Sequence, residues 1–294
     1  MDLSTFIIAV FCEVDDWLKD QRPLRRRGPA PKLSDSEVLT VEIVGEFLGL
    51  DTDRGLHDHF RRYHADLFPA LRRVHRTTFC RQAANLWAAK ERLWRHLLGL
   101  IPKDPALSMV DSFALPACRR ARAHRCKALA GLAAYGYDEV GRGLFYGLRA
   151  HLLVCWPGVV VGMSLAPANV HDVHPAESLL GGAGRGWVLA DRNYWSPELA
   201  ERLRSAGGPE LVAPYKVAER EGRPWPRWLV HKRRRIETLI GQLVGRYNAK
   251  KVWARDAWHL RSRFLRKVLS HTLASLLCQR AGLSPLRFSE LLSD

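Results

Sequence analysis

The sequence predicts an α/β fold. A core with a mixed sheet is expected between an all-helical N-terminal part and a set of C-terminal helices. Three observations predict it. Residues 1–100 carry apolar positions at helical spacing. From about residue 104 short apolar runs and a period-two alternation take over, punctuated by turn residues. From Ile236 onward the period returns to helical. The expected organisation is therefore a helical part over 1–100 and a catalytic part over 101–294.

In chain order, Ser34-Asp35-Ser36-Glu37 is a capping box, and Val38, Val41, Val44, Phe47 and Leu48 follow at helical spacing up to a stop at Gly49. A second helical pattern runs from Thr77 to Leu98 through Phe79, Ala83, Leu86, Leu93, Trp94 and Leu97. The stretch between them, Arg54 to Arg76, is basic and rich in histidine. Such a part reads equally as a helix-turn-helix DNA reader or as a dimerising cap. The run from Arg22 to Pro31 is a basic, proline-rich arm and not a helix interior.

Ala106 to Val110 is a short strand ending at Asp111. Gly143 to Cys155 alternates, with Leu144, Tyr146, Leu148, Ala150, Leu152 and Val154 on one face and Arg149 and His151 on the other. Pro157-Gly158 turns this strand into another, Val159 to Leu165. Trp187 to Ala190 ends at Asp191, Ser196-Pro197 opens a helix to about Ala206, and Leu211 to Ala213 is a further strand. His171-Asp172 precedes a helix, with Asp172 read as its N-cap or else as a supporting residue beside the candidate carboxylates. The helix from Ala257 to Leu277 reads as core or subunit interface.

Composition narrows the partners. At 47% hydrophobic residues the chain is no disordered polymer. Its 46 Lys and Arg against 30 Asp and Glu give a net charge of +16, which points to nucleic acid or an anionic membrane. The longest apolar run, Leu152 to Met163, is interrupted by Pro157-Gly158 and is too short for a bilayer. The N-terminus lacks the basic start and small-residue cleavage site of a secretory signal, and six scattered cysteines read as reduced thiols. A cytoplasmic protein with no membrane partner is expected. Between Arg220 and Lys267 fifteen basic residues face three acids, and Arg119, Arg120, Arg122, Arg125 and Lys127 form a second knot without an acid. Such concentrated like charge repels itself unless something anionic compensates it, so nucleic acid is the expected partner, with a solvated basic face as the plainer reading. The candidate contacts are Arg119, Arg120, Arg149, Arg192, Arg233, Arg234, Arg235, Lys250 and Lys251.

The candidate chemistry rests on carboxylates. Asp111 and Asp191 each end a strand, where ligands gather in α/β sheets. On the helix from Ile236, the residues Ile236, Leu239, Ile240, Leu243, Val244 and Tyr247 span roughly −60° to +80° at 100° per residue, and Glu237 falls at about 100°, at the edge of that stripe. Arg233 lies one turn earlier on the same side. Three such carboxylates suit hard divalent cations, and a pair of ions about 3.5–4 Å apart serves phosphodiester chemistry. Each acid also has a plainer reading, as a turn cap for Asp111 and Asp191 and as a surface ion pair with Arg233 or Arg234 for Glu237. Cys118, His124 and Cys126 match no common zinc spacing, and Gly181 to Gly186 lacks the Lys-Ser/Thr ending of a phosphate loop.

Five blocks in order, Val110-Asp111-Ser112, Tyr146 to Leu152, Ala166 to Asp172, Leu189 to Ser196 and Arg233 to Leu243, resemble bacterial DDE transposases, most of all the insertion sequence 982 family. The resemblance implies an RNase H-like catalytic core. It also implies that Asp111, Asp191 and Glu237 are the catalytic triad holding two Mg²⁺ ions, with Mn²⁺ as a substitute. It further implies cleavage at element ends with joining of the freed 3′-hydroxyl to target DNA, by a homodimer in the bacterial nucleoid. The sequence departs from related transposases at Val230 and Val244, where tyrosine and lysine are common, and in reading Asp191-Arg192-Asn193-Tyr194 for the common Asp-Lys-Gly-Tyr. A metal-dependent nuclease that never joins strands and an inactive DNA-binding protein are the alternatives.

Overall fold

The structure is a computed structural model that describes residues 1–22, 30–214, 225–251 and 253–292. Most of the basic arm from Arg22 to Pro31 lies outside the described residues, as do residues 215–224. The chain divides into two compact units. One comprises Met1–Ile101, Leu243–Trp253 and Trp258–Asp294, and the other Pro102–Gln242 and Ala254–Ala257.

The N-terminal helices are α1 (Leu3–Lys19), α2 (Asp35–Phe47), α3 (Asp53–Tyr63), α4 (Arg76–Asn85) and α5 (Trp87–Leu100). The capping box that starts α2 is formed in both directions: Glu37 N–H donates to Ser34 Oγ at 3.1 Å, and Ser34 N–H donates to the Glu37 carboxylate at 2.6 Å. Gly49 follows the helix at a φ of +79°, a conformation that suits a residue without a Cβ. Two expectations need correction. The basic stretch from Arg54 holds a helix of its own, α3, capped by Thr52. The pattern from Thr77 to Leu98 is two helices meeting at Leu86, whose ψ of 10° takes the backbone out of the α region.

In the sheet unit follow β1 (Asp104–Arg119), β2 (Ala134–Asp138), β3 (Gly143–Trp156), β4 (Val159–Pro167), α6 (Val173–Leu180), β5 (Trp187–Leu189), α7 (Pro197–Ser205), β6 (Glu210–Val212) and α8 (Arg227–Gly245). The long strand β3 is the axis. One edge pairs antiparallel with β1, and the other pairs antiparallel with β4 along Leu148–Cys155 and with β2 along Gly143–Gly147. Beyond β1 come β5 and then β6, both parallel to it. This is the expected mixed sheet. Two differences stand out: β1 does not stop at Asp111 but runs through it to Arg119, and β2 was not foreseen. The alternation read for β3 also holds only at its start, because from Ala150 to Cys155 every residue is buried, as befits a strand paired on both edges. Ser196 caps α7 by accepting from Leu199 N–H. Val110, Leu153, Ala176, Leu180, Val188, Ala190, Tyr194, Leu199 and Leu203 form the core beneath α6 and α7.

The C-terminal helices are α9 (Ala257–Arg280) and α10 (Phe288–Leu291). A single catalytic part over 101–294 had been expected, whereas the residues beyond Trp258 group with the N-terminal helices. The reason lies in α2 and α9, which are buried nearly all round and pair charges inside the unit. Glu42 meets Lys90 at 2.9 Å and Arg266 at 3.2 Å, Glu46 meets Arg266 at 2.5 Å and Lys267 at 2.7 Å, and Asp53 meets Arg266 at 2.8 Å and Arg263 at 2.6 Å. Three of the basic residues counted toward a DNA-binding surface, Arg263, Arg266 and Lys267, are thus neutralised internally. Among the described residues no helix is long and apolar enough to cross a membrane.

Candidate active site

The register of β1 and β5 relates the two aspartates. Leu107 is level with Trp187, Ser108 with Val188 and Met109 with Leu189, and Asp111 and Asp191 each follow two residues past the last of these pairs, Asp191 beyond the end of β5. Helix α8 packs against this sheet. Trp228 stacks on Trp187 with ring centroids 5.9 Å apart, and Lys232 Nζ lies 3.4 Å from the centroid of the Trp156 ring. Glu237 comes near enough to Asp111 for its charge to act on that carboxyl. Its wheel position holds as read: Ile236, Leu239 and Leu243 are buried, while the Glu237 side chain is 52% exposed.

Arg233 ties the group together. Its Nη2 lies 3.2 Å from Glu237 Oε1 and its Nη1 lies 3.9 Å from Asp111 Oδ2. That Nη1 is buried and has no hydrogen-bond acceptor. The two aspartates are aimed by their own backbones, Asp111 Oδ1 accepting from Ser112 N–H at 2.8 Å and Asp191 Oδ1 from Asn193 N–H at 2.9 Å. The turn-cap reading thus describes one oxygen of each carboxylate and leaves the other for the cluster. Burial pushes Asp111 up to about 7, and the charges of Asp191 and Glu237 push the same way against the Ser112 N–H and Arg233. Asp191 is raised too, first by burial and then by the charge of Asp172.

For Asp172 the structure favours a supporting role beside the acids over the helix cap. Asp172 stands at the N-cap position of α6 but makes no side-chain cap bond, and its backbone there is helical. Its Oδ2 instead accepts from Ser112 Oγ at 3.3 Å, which turns it toward Asp111 and Asp191. Its place at the end of the block from Ala166 to Asp172 was the available signal. Around the acids, Arg149 Nη1 donates to Ser112 Oγ at 3.3 Å and Arg149 Nη2 to the Tyr137 carbonyl at 2.8 Å. His151 Nδ1 lies 3.3 Å from the Tyr194 hydroxyl. Burial lowers His151 to about 4, so it stays neutral, and burial also raises Tyr194 well above its ordinary value, with Asp172 and Asp111 adding to the shift.

Of the other basic candidates, Arg119, Arg120, Arg192, Arg234 and Lys251 are exposed, and Arg149, Arg235 and Lys250 are half-buried. Arg235 packs its guanidinium 5.2 Å from the Trp156 ring centroid. Lys250 and Lys251 belong to the helical unit and the rest to the sheet unit.

The site gathers acids around one arginine, a repulsive arrangement that added positive charge relieves. Among the described residues no three His, Cys, Asp or Glu side chains form a ready cluster for a metal ion. The donors are nevertheless of the right kind, since Mg²⁺ is ordinarily held by one or two carboxylates completed by phosphate and water oxygens, and here a buried cationic Nη1 without an acceptor already stands beside Asp111.

Comparison with curated proteins and with solved structures gives no match. The family model described as Transposase DDE domain matches residues 103–252, half of the chain. That span takes in the whole sheet, both aspartates and the helix bearing Glu237, so the chain belongs to the Transposase DDE domain family, and its curled mixed sheet is the RNase H-like core of a transposase that acts on DNA.

Proposed function

We propose that this transposase cleaves double-stranded DNA at the ends of an element of the bacterial insertion sequence 982 type and joins the freed 3′-hydroxyl to target DNA. Asp111, Asp191 and Glu237 serve as the catalytic carboxylates, and a homodimer pairs two ends on the nucleoid DNA of the cytoplasm. The observation that supports the reading is the double reach of Arg233, to Asp111 at 3.9 Å and to Glu237 at 3.2 Å, two acids far apart in the sequence.

Asp111 and Asp191 would hold two Mg²⁺ ions, or Mn²⁺ in their stead, with Glu237 turning to them from Arg233. Bound there, such ions lower the pKa of an attacking oxygen and offset the charge that builds on the transferring phosphate. The chain's own groups do the rest. Ser112 N–H and Asn193 N–H fix the two aspartates so that each presents one free oxygen. Asp172 and Arg149 hold Ser112 between them and keep that stretch of β1 in place. Arg233, released from the acids, is positioned to meet a phosphate, and the exposed Arg192 and Arg234 flank it. His151 and Tyr194, both neutral and buried, close the floor without adding charge.

The test is divalent-dependent nicking of element-end DNA by Asp111→Asn, Asp191→Asn and Glu237→Gln. Each is expected to abolish cleavage and to retain DNA binding. Full cleavage by any one removes that residue from the triad. Cleavage by the wild type without joining of a pre-cleaved end would make the chain a nuclease and sink the strand-transfer step.

A further inference from the structure

The ribbon made by β2 and the first half of β3 has two unlike faces. Residues directly opposite one another share a face of a sheet. Tyr135 pairs with Tyr146 and Tyr137 with Leu144, so these four line one face, while Gly136 pairs with Phe145 on the other. The second face is packed. Phe145 is buried with Ala114 and Ala168, and a Cβ at Gly136 would stand 2.7 Å from that of Ala168. The first face is open to solvent, with Tyr135 54%, Tyr137 48% and Leu144 48% exposed, although aromatic rings at 5.4 Å (Tyr135 on Tyr146) are a large apolar area to leave in water.

Charge identifies the occupant. The end of β1 and its connection to β2 carry Arg119, Arg120, Arg122, Arg125 and Lys127, all exposed and with no acid among them. A second copy of the chain on this face would bring two such knots together. A nucleic acid would instead meet them with its phosphates. The acids of the ribbon, Asp138 and Glu139, lie at the far turn. The ribbon's backbone is also linked to the strand that carries Asp111, because Arg149, on the opposite face, donates to the Tyr137 carbonyl with one nitrogen and to Ser112 Oγ with the other.

We infer that the Tyr135, Tyr137, Leu144 and Tyr146 face is a stacking platform for unpaired bases of a DNA end, with the basic turn after β1 holding the phosphates of the same strand. Aromatic faces bind unpaired bases of any sequence, since every base has a π-face, whereas bases stacked within a duplex offer them nothing. The inference takes its ligand from the DNA-cleavage reading above and assigns the ribbon the task of holding the strand that leaves the acids.

The experiment measures binding by fluorescence anisotropy in EDTA, where no cleavage takes place. The probes are a blunt duplex and the same duplex with a short unpaired 3′ extension. The extension is expected to tighten wild-type binding about tenfold. The double variant Tyr135→Ala/Tyr137→Ala should bind both probes with the blunt-duplex affinity, and Tyr135→Phe/Tyr137→Phe should keep the preference. Equal wild-type affinity for the two probes overturns the inference, as does a preference that survives the alanine pair. Loss of self-association in sedimentation with the preference intact would make the face a protein interface and overturn it too. Asp111→Asn should keep the preference. A wild type that prefers the extended probe but never cleaves would defeat the catalytic reading and leave this one standing.

Discussion

Arg233 Nη2 lies 3.2 Å from Glu237 Oε1, one helical turn further along α8. The other nitrogen of the same guanidinium faces Asp111 Oδ2 at 3.9 Å and has no hydrogen-bond acceptor. Arg233 thus supplies the positive charge of the acid cluster. Removing it should strengthen the pull of the site on divalent cations. Arg233→Ala is expected to bind Mn²⁺ on the order of tenfold more tightly in the absence of DNA, while Arg233→Lys stays near the wild type. Titration of Mn²⁺ followed by its paramagnetic resonance signal checks this, and weaker binding by the alanine variant would show that Arg233 organises the acids rather than neutralising them.

Asp172 separates two readings by stability. A helix cap replaced by alanine costs about 1 kcal/mol. Because Asp172 makes no cap bond and its charge opposes that of Asp191, Asp172→Ala should leave the unfolding free energy unchanged or slightly higher. Cleavage should fall roughly ten- to a hundredfold as Ser112 loses its acceptor and the strand beside Asp111 loosens. Denaturant unfolding together with a nicking assay on the same variant tests both halves.

Where local chemistry decides structure, the chain could be read directly. Ser34 with Glu37, Ser196 with Pro197, and Pro157-Gly158 each specify a cap or turn within a few residues, and the elements they start or join are present. The apolar runs that precede Asp111 and Asp191 could be read directly, as could the place of Glu237 at the edge of a buried helical stripe. The run of β1 beyond Asp111 was hidden because Ser112, Pro116 and Ala117 do not alternate. Strand β2 was hidden because its exposed tyrosines and its glycine read as loop. The buried charges were the largest loss. Periodicity counts Arg266 and Lys267 as surface, and nothing local reveals that their partners lie more than two hundred residues away. The usable sign was Glu42 and Glu46, one turn apart on a helix otherwise apolar on every side.

Those buried charges predict an asymmetric response to mutation. Glu46 accepts from Arg266 Nε at 2.5 Å and from Lys267 Nζ at 2.7 Å, and all three are buried. Glu46→Gln leaves buried Lys267 without a carboxylate and Arg266 with only Glu42 and Asp53, and should cost about 3–5 kcal/mol of stability. Removal of an exposed pair, as in Arg204→Ala opposite Glu201, should cause no measurable change. Urea unfolding of both variants provides the comparison, and a Glu46→Gln loss no larger than that of Arg204→Ala would mean that water reaches the network.

Histidine sets the acid limit of the helical unit. His271 on α9 is fully buried against the Tyr247 and Phe288 rings, and burial lowers it to about 3. In the unfolded chain its pKa is near 6.5. Above that value both states hold a neutral imidazole and stability is complete. Below it the unfolded state binds a proton that the folded state refuses, so stability falls as pH drops from 6.5 toward 3, by up to about 1.4 kcal/mol per pH unit. Asp53, held down to about 2 by Arg266 and Arg263 against the upward push of burial, has the same sign but acts only between its ordinary 3.8 and 2. The first acid destabilisation of the helical unit, between pH 6.5 and 5, therefore belongs to its histidines, to His271 above all, with His59 and His64 also lowered by burial, and His151 acts likewise in the sheet unit. His271→Gln should flatten the pH dependence of the helical unit's unfolding free energy over that interval, even though it lowers stability at neutral pH by spoiling the packing. Tryptophan-monitored urea unfolding of the two chains at pH 5 and pH 7 decides the matter, and an unchanged slope in His271→Gln would place the responsible proton elsewhere.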